Sequence, residues 1–469
     1  MAPVPEAPPA VAVIGGGFSG LLTAIHLLRQ SPDLVVRLVE RAPRFGRGRA
    51  YQTAHPDHLL NVRAANMSAF PDQPDHFRDW LAREGVARPA EAFVSRGRYG
   101  DYLQGLLREE VSDPSRAGRL LLEADEAVAV EPADGRLRVT LGVGRTFDAD
   151  AVVLALGLLP PAPPPGAEPE VLAHPAYVAD PWRVDPETAP QGDILLLGSG
   201  LTMVDVALSL AGEGRRLTAL SRHGLVSRSH APTASAPPPE GSLATPRAAL
   251  RTLRAQAEKV GWREAVDGIR PLTQAVWRSW PLSQRRRFLR HARPWWDVHR
   301  HRMAPAIAAR LSGLVVSAEL EVLAGRLEHV AAEGDGFAVR FRPRGAREPV
   351  TRSFAAIVNC SGPRGDPEAA SAGLLADLRR RGALRRDPLG LGLDVDDRLR
   401  VIGADGRPTP GLFAVGPLTR AAVWEALAVP DLRNQTADVA RAVAESLALA
   451  PPYRPGAFRM SSGAPIAGS

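Results

Sequence analysis

Residues 11–28, VAVIGGGFSGLLTAIHLL, place glycines at 15, 17 and 20 directly behind a short apolar run. Gly15 permits a tight turn, Gly17 lets backbone come close to a pyrophosphate, and Gly20 lets the next helix pack on the strand. The helix expected from about Leu21 to Gln30 would turn unpaired N–H groups and a partial positive charge toward that phosphate. LVVRLVE (34–40) reads as a second buried strand ending on Glu40, twenty residues after Gly20 and placed to accept from a ribose diol.

A nearly equivalent opening, LLLGSGLTMVDVAL, recurs at 195–208. Gly198, Gly200 and Thr202 are its candidate cofactor contacts, and Met203 stands where the third glycine would be, so helix and strand are expected to pack less closely there. The next strand, RLTALSR (216–222), ends on Ser221–Arg222 rather than on an acid. An acid there would repel a ribose 2′-phosphate, whereas an arginine pairs with one through its planar fork. NADPH is therefore expected over NADH, unless Arg222 is simply a surface residue of an arginine-rich chain.

The third chemical concentration is WWDVHRHRMAP (295–305). On a helix Asp297 and His301 would share a face, as would His299 and Arg302. No third convergent ligand lies nearby, so a metal is not expected. Two readings stay open: a structural ion-pair network, or a cationic wall facing the nicotinamide or an anionic substrate. In the second, Asp297, His299 and Arg302 are the candidate catalytic residues, with a histidine able to relay protons near neutral pH.

The 469 residues are too many for one core, so two or three domains are expected. Net charge is +7, but Lys259 is the only lysine and the arginines are spread from Arg29 to Arg459, which argues against nucleic acid as a partner. Runs such as SQRRRF (283–288) read as solvated helix faces. Cys360 is the single cysteine; disulfide scaffolds, zinc clusters and a Cys-x-x-Cys pair are excluded, and a cytoplasmic location is expected. The start MAPVPEAPPA carries no basic leader, and no apolar run is long enough to span a membrane.

Along the chain, EAVAVEPADGRLRVTL (126–141) reads as a meander and FDADAVVLALG (147–157) as a strand entering a small-residue turn. LLPPAPPPGAEPE (158–170) is a proline-rich crossing and HAPTASAPPPEGSLATP (230–246) an exposed loop. Residues 247–311 read as a helical insertion covering a cleft, after which LEHVAAEGDGFAVRFRP and FAAIVNCSGP return to strand, with Cys360 filling a buried strand end.

Six stretches together resemble the FAD- and NAD(P)-binding flavoproteins with paired dinucleotide folds, distant relatives of ornithine and lysine N-hydroxylases and of Baeyer–Villiger monooxygenases. They are the first glycine motif, GRGRAYQTAHPDHLLNVRAANMSAFP (46–71), LLLGSGLTMVDVALSL (195–210), SRHGL (221–225), RPWWDVHRHRMAP (293–305) and AAVWEALAVPDLRNQ (421–435). The F-x-G-x-x-x-H-x-x-x-W-P stretch of the Baeyer–Villiger enzymes is missing. The resemblance implies an α/β fold of two Rossmann-like, doubly wound dinucleotide-binding domains with a helical insertion. It puts FAD in the first site and NADPH in the second.

On that reading the FAD domain is discontinuous (1–160 and 364–450), the NAD(P)H domain is 161–363, and 451–469 is a disordered tail. GLFAVGP (411–417) resembles the late FAD motif, with Gly416 beside the ribityl chain, although Pro417 replaces the usual aspartate. In 58–70, which would fold over the flavin ring, Asn61, Asn66 and Met67 are candidates; the asparagines either bond the ring or cap turns.

The resulting expectation is an FAD-dependent, NADPH-reduced oxidoreductase, a monooxygenase with molecular oxygen and a small polar substrate as partners, N-hydroxylation resting on the resemblance. The alternatives are a flavin dehydrogenase or reductase feeding another acceptor, and a non-catalytic FAD-binding scaffold. One cysteine rules out a disulfide-reductase relay.

Overall fold

The computed structural model describes residues 8–370 and 372–448. The expected tail, and the first seven residues, lie outside them.

β1 (Ala10–Ile14) runs into α1 (Phe18–Gln30), which returns to β2 (Val35–Val39). Two helices follow, α2 (His76–Arg83) and α3 (Arg96–Ser112), then β3 (Leu120–Glu123). β4 (Ala127–Ala133), β5 (Arg136–Leu141) and β6 (Thr146–Ala149) form a three-stranded antiparallel sheet, the expected meander, and feed β7 (Ala151–Leu154). The crossing carries α4 (Pro169–Ala173) and β8 (Tyr177–Val178). β9 (Gly192–Leu197), α5 (Leu201–Leu210) and β10 (Arg215–Ser221) then repeat the opening unit.

Six helices follow: α6 (Pro246–Val260), α7 (Trp262–Gly268), α8 (Thr273–Ser279), α9 (Leu282–His291), α10 (Arg293–Arg300) and α11 (Pro305–Val316). The chain returns through β11 (Leu320–Glu333), β12 (Gly336–Pro343), β13 (Val350–Phe354) and β14 (Ala356–Val358). It ends with α12 (Gly373–Arg380), β15 (Arg400–Ile402), β16 (Pro408–Ala414) and α13 (Val429–Ser446).

One sheet has the order β15-β16-β7-β1-β2-β3 and the other β13-β12-β11-β10-β9-β14-β8. Their centres match: β1 lies parallel between β2 and β7, and β9 lies parallel between β10 and β14. Parallel strands need covered faces, and β7 and β14 are accordingly apolar and buried throughout. β16, more than two hundred residues after β7, pairs with it in parallel, so the late segment completes the first sheet. α13 packs along α1, burying Val439, Ala440 and Val443. Among the described residues no helix is long and apolar enough to cross a membrane.

His26, on the buried face of α1, is 7% exposed and packs edge-on to Phe70, and its Nε2 lacks a hydrogen-bond partner among the described residues. Burial, with Arg29 adding to it against a weaker opposing pull from Asp72, pushes its pKa down from 6.5 to about 4. The folded protein keeps the ring neutral while the unfolded chain takes up a proton. This contribution is therefore intact above pH 6.5 and is lost as pH falls toward about 4. The loss is on the order of 3 kcal/mol. His26→Leu should flatten this part of a urea-stability profile against pH; equal acid sensitivity in both proteins would place the source elsewhere.

Candidate functional site

Both glycine turns are built alike. Gly15 has φ +108 and Gly198 φ +111, a region that L side chains rarely adopt. The Gly15 N–H donates to the Val39 carbonyl and the Gly198 N–H to that of Leu220, each at 2.8 Å. A Cβ at Gly15 would lie 2.3 Å from the Ala155 oxygen, and one at Gly198 2.4 Å from the Cys360 oxygen. Gly17 is the N-cap of α1 and Gly200 that of α5, and neither helix has a side-chain cap or an acid in its first turn. Free N–H groups therefore sit at two helix N-termini, as a pyrophosphate requires. A Cβ on Gly200 would meet no protein atom within 4 Å, so that glycine leaves open space. Thr202 stands half-buried in the first turn of α5, and the Met203 side chain is wholly buried in the second core.

The two ends of the second strands differ. Glu40 accepts from the Gly16 N–H at 2.8 Å and the Ala42 N–H at 3.1 Å, leaving lone pairs for a ribose hydroxyl. At the end of β10 the Ser199 hydroxyl donates to the Leu225 carbonyl (2.6 Å) and accepts from the Ser221 hydroxyl (2.7 Å), and no acid is present. Arg222 is exposed and carries no ion pair among the described residues. His223 beside it has its pKa lowered by partial burial and by Arg222 and Arg344, so a second arginine, 122 positions along the chain, joins this basic corner. Sequence spacing gave no sign of Arg344.

Gly416, at φ +90, meets the first turn of α1; a Cβ there would lie 3.0 Å from Ser19 Oγ. Its N–H donates to Gln435 Oε1 at 2.9 Å, and Pro417 opens a short 3₁₀ turn. Asn61 is half-buried, and its carbonyl faces His230 Nε2 at 3.0 Å; Asn66 is exposed at the end of a 3₁₀ turn. Met67 is buried and its carbonyl accepts from the Tyr99 hydroxyl at 2.9 Å. Residues 61–67 are thereby held between an aromatic core and the 228–231 loop of the second unit.

The insertion lies on the late segment. The indoles of Trp277 and Trp424 stack at 4.3 Å, the Trp277 Nε1–H donates to the Ala421 carbonyl (2.8 Å), and Gln274 Nε2 to that of Ala422 (2.9 Å). Glu425, at φ +67, binds α10 with both oxygens: Trp296 Nε1 at 2.8 Å and Arg300 Nε at 2.9 Å. The Arg300 and Glu425 side chains are only 9% and 5% exposed.

α10 ends at Arg300 with His301 as its C-cap, whose N–H still donates to the Asp297 carbonyl (2.8 Å); beyond it the helical facing of His299 with Arg302 does not form. The Asp297 carboxylate pairs with Arg293 at 3.2 Å, one turn earlier. His299 Nδ1 lies 2.8 Å from the Trp295 carbonyl, with its ring edge-on to Trp262. Arg302, 2% exposed, turns inward to the Asp267 carboxylate (3.0 and 2.9 Å) and donates to the carbonyls of His299 (2.8 Å) and Arg263 (3.2 Å). The charged cluster also includes Arg300 and Glu425, whose partnership spans 125 positions and has no sequence signature.

Residues 12–159 match a protein family described as FAD-NAD(P)-binding. The chain is 28% identical over 240 residues to nitrosuccinic acid synthase npaA of Aspergillus oryzae, covering 44% of this chain and 36% of that protein. Monooxygenase ptmN of Penicillium ochrochloron is 27% identical over 233 residues, 46% of this chain and 35% of its own. The chain thus spans about a third of the length of these relatives.

Among solved structures, the reduced ornithine hydroxylase PvdA of Pseudomonas aeruginosa superposes with a TM-score of 0.62 at 13% identity, covering 94% of this chain and 100% of that one. L-lysine 6-monooxygenase of Pseudomonas syringae gives 0.62 at 17% identity with the same coverage. At these identities the likeness is one of fold: two Rossmann-like units.

Proposed function

We propose that this protein is an FAD-dependent monooxygenase reduced by NADPH and acting on a small polar substrate, with N-hydroxylation of an amine as its form. The paired glycine cradles at the N-termini of α1 and α5 carry the reading, since two dinucleotides on one chain imply hydride transfer between them. Bound FAD, once reduced, would supply oxygen activation; this chain binds, orients and excludes water. Gly15, Gly17, Gly20, Glu40 and Gly416 would hold FAD, with Asn61 and Met67 in the covering segment. Gly198, Gly200, Thr202 and Arg222 would hold NADPH. The insertion, fixed through Trp277 and Glu425, roofs the late segment.

Asp297, His299 and Arg302 then serve as positioning residues of that roof, since Asp297 pairs with Arg293, His299 Nδ1 with the Trp295 carbonyl and Arg302 with Asp267. Cys360 is buried and burial raises its thiol pKa, so it stays an unreactive thiol.

NADPH added without oxygen should bleach the flavin. Readmitted oxygen, with amine-bearing candidates present, should appear in product rather than as hydrogen peroxide. Reduction without oxygen incorporation for any such candidate would favour a dehydrogenase, and failure of NADPH and NADH to reduce the flavin would favour a scaffold.

Arg222→Ala tests the coenzyme choice. Losing a charge-assisted phosphate contact should cost about 1.5–3 kcal/mol. The variant should need at least about tenfold more NADPH for half-maximal flavin reduction, with NADH scarcely changed. Equal loss for both coenzymes would make Arg222 structural.

A further inference from the structure

The seam between the two nucleotide-binding units holds a cleft of about 310 Å³ that neither glycine cradle uses. One wall is Thr53, His55 and His58 of the first unit; the other is Trp182 and Val184, ahead of β9, with Ser209 of α5. His58 is locked in place. Its Nδ1 lies 2.8 Å from Thr53 Oγ1, and its Nε2 lies 2.9 Å from Ser209 Oγ and 3.2 Å from the Asp205 carbonyl. The Ser209 hydroxyl donates to that carbonyl at 3.0 Å, so its oxygen is left to accept from His58 Nε2–H. The His55 ring lies flat on His58 at 4.6 Å, and the Trp182 indole meets His58 edge-on at 6.3 Å. Three aromatic rings thus frame the space.

The charges around it are not balanced. Asp205, its side chain 8% exposed, is held by Arg96 at 3.0 Å, and Asp57 is paired with Arg310. Arg44, exposed at the mouth, carries no ion pair among the described residues. Gln52 and the Nε2 of His55 also line the space or its edge without a protein partner among those residues. The volume is at the small end of the range of about 300–1,000 Å³ for small-molecule sites, the size of one or two rings.

We propose that this seam binds a small planar aromatic carboxylate, its ring against His55 and Trp182 and its carboxylate on Arg44. A stacked ring gains from the aromatic walls, and a carboxylate matches the guanidinium fork. A ligand here touches both units. It also braces α5, whose first turn is the second glycine cradle, so its occupancy acts on nucleotide binding.

The proposal is independent of the redox reading and is tested by calorimetric titration of FAD-loaded protein. The probes are salicylate and indole-3-acetate, each beside its uncharged amide. At least one carboxylate should bind saturably and about tenfold more tightly than its amide, the advantage expected of one charge-assisted contact. Arg44→Ala should remove that preference, and Val184→Trp, which fills the cleft from a half-buried position, should abolish binding with flavin absorbance unchanged. Absence of saturable binding by either carboxylate would overturn the site. So would binding that Arg44→Ala and Val184→Trp leave untouched, which would place the probes elsewhere on the protein.

Discussion

Gly20→Ala should leave the purified protein almost without flavin. A Cβ at residue 20 would sit 1.7 Å from the Gly15 carbonyl oxygen and 2.9 Å from its carbon, with the Ala155 Cβ at 3.4 Å behind. The first two contacts are backbone, so no rotamer relieves them. The Gly15 turn cannot yield either, because its own position is fixed by the Ala155 carbonyl and by the bond to Val39. The remaining escape is to lift α1 from β1, which moves the N–H groups that face the pyrophosphate. Overpacking a core costs about 1–3 kcal/mol and more where backbone must shift. Gly200→Ala is the matched comparison, since its Cβ meets nothing in the protein within 4 Å. That variant should fold and keep FAD while losing NADPH affinity. The ratio of flavin to protein after purification decides the point; an equimolar ratio in Gly20→Ala would mean that the first cradle does not hold FAD.

These glycines were legible because local chemistry dictates them: a tight turn behind an apolar strand leaves few alternatives to Gly15 and Gly198. The helical run 247–311 was legible for a similar reason, as amphipathic periodicity directly behind the breaker-rich stretch 230–246. Pairings across the fold were not. Nothing near Arg302 in sequence announces Asp267, and nothing near Arg300 announces Glu425, because those partners are set by how the insertion docks. The 295–305 stretch is dense in charge, as its sequence shows, but helical spacing placed Arg302 on a helix that His301 already caps. α10 ends at Arg300 because Arg302 is drawn inward and Pro305 starts the next helix. The basic corner at β10 was half legible for the same reason: Arg222 lies on the motif, whereas Arg344 arrives from another strand end.

Arg302→Ala should cause the largest loss of stability among the charged residues of the insertion. The guanidinium is 2% exposed, and its donors serve both oxygens of Asp267 and the carbonyls of His299 and Arg263. It also lies over the Trp262 ring at 5.1 Å. Deleting one member of a buried ion pair costs about 3–5 kcal/mol, since the groups left behind lose their partner. Asp267 is 44% exposed on its side chain and can regain water, which favours the lower end of that range. The two carbonyls cannot do so as easily, and they fasten α7 to the end of α10. His299→Ala removes one hydrogen bond to the Trp295 carbonyl and a ring contact, and should cost about 1 kcal/mol. Urea unfolding of the FAD-loaded proteins, read beside NADPH oxidation by the fraction still folded, separates the roles. A brace predicts an early unfolding midpoint for Arg302→Ala with normal turnover per folded molecule. Unchanged stability with turnover lost would return Arg302 to the substrate and remove it from the roof.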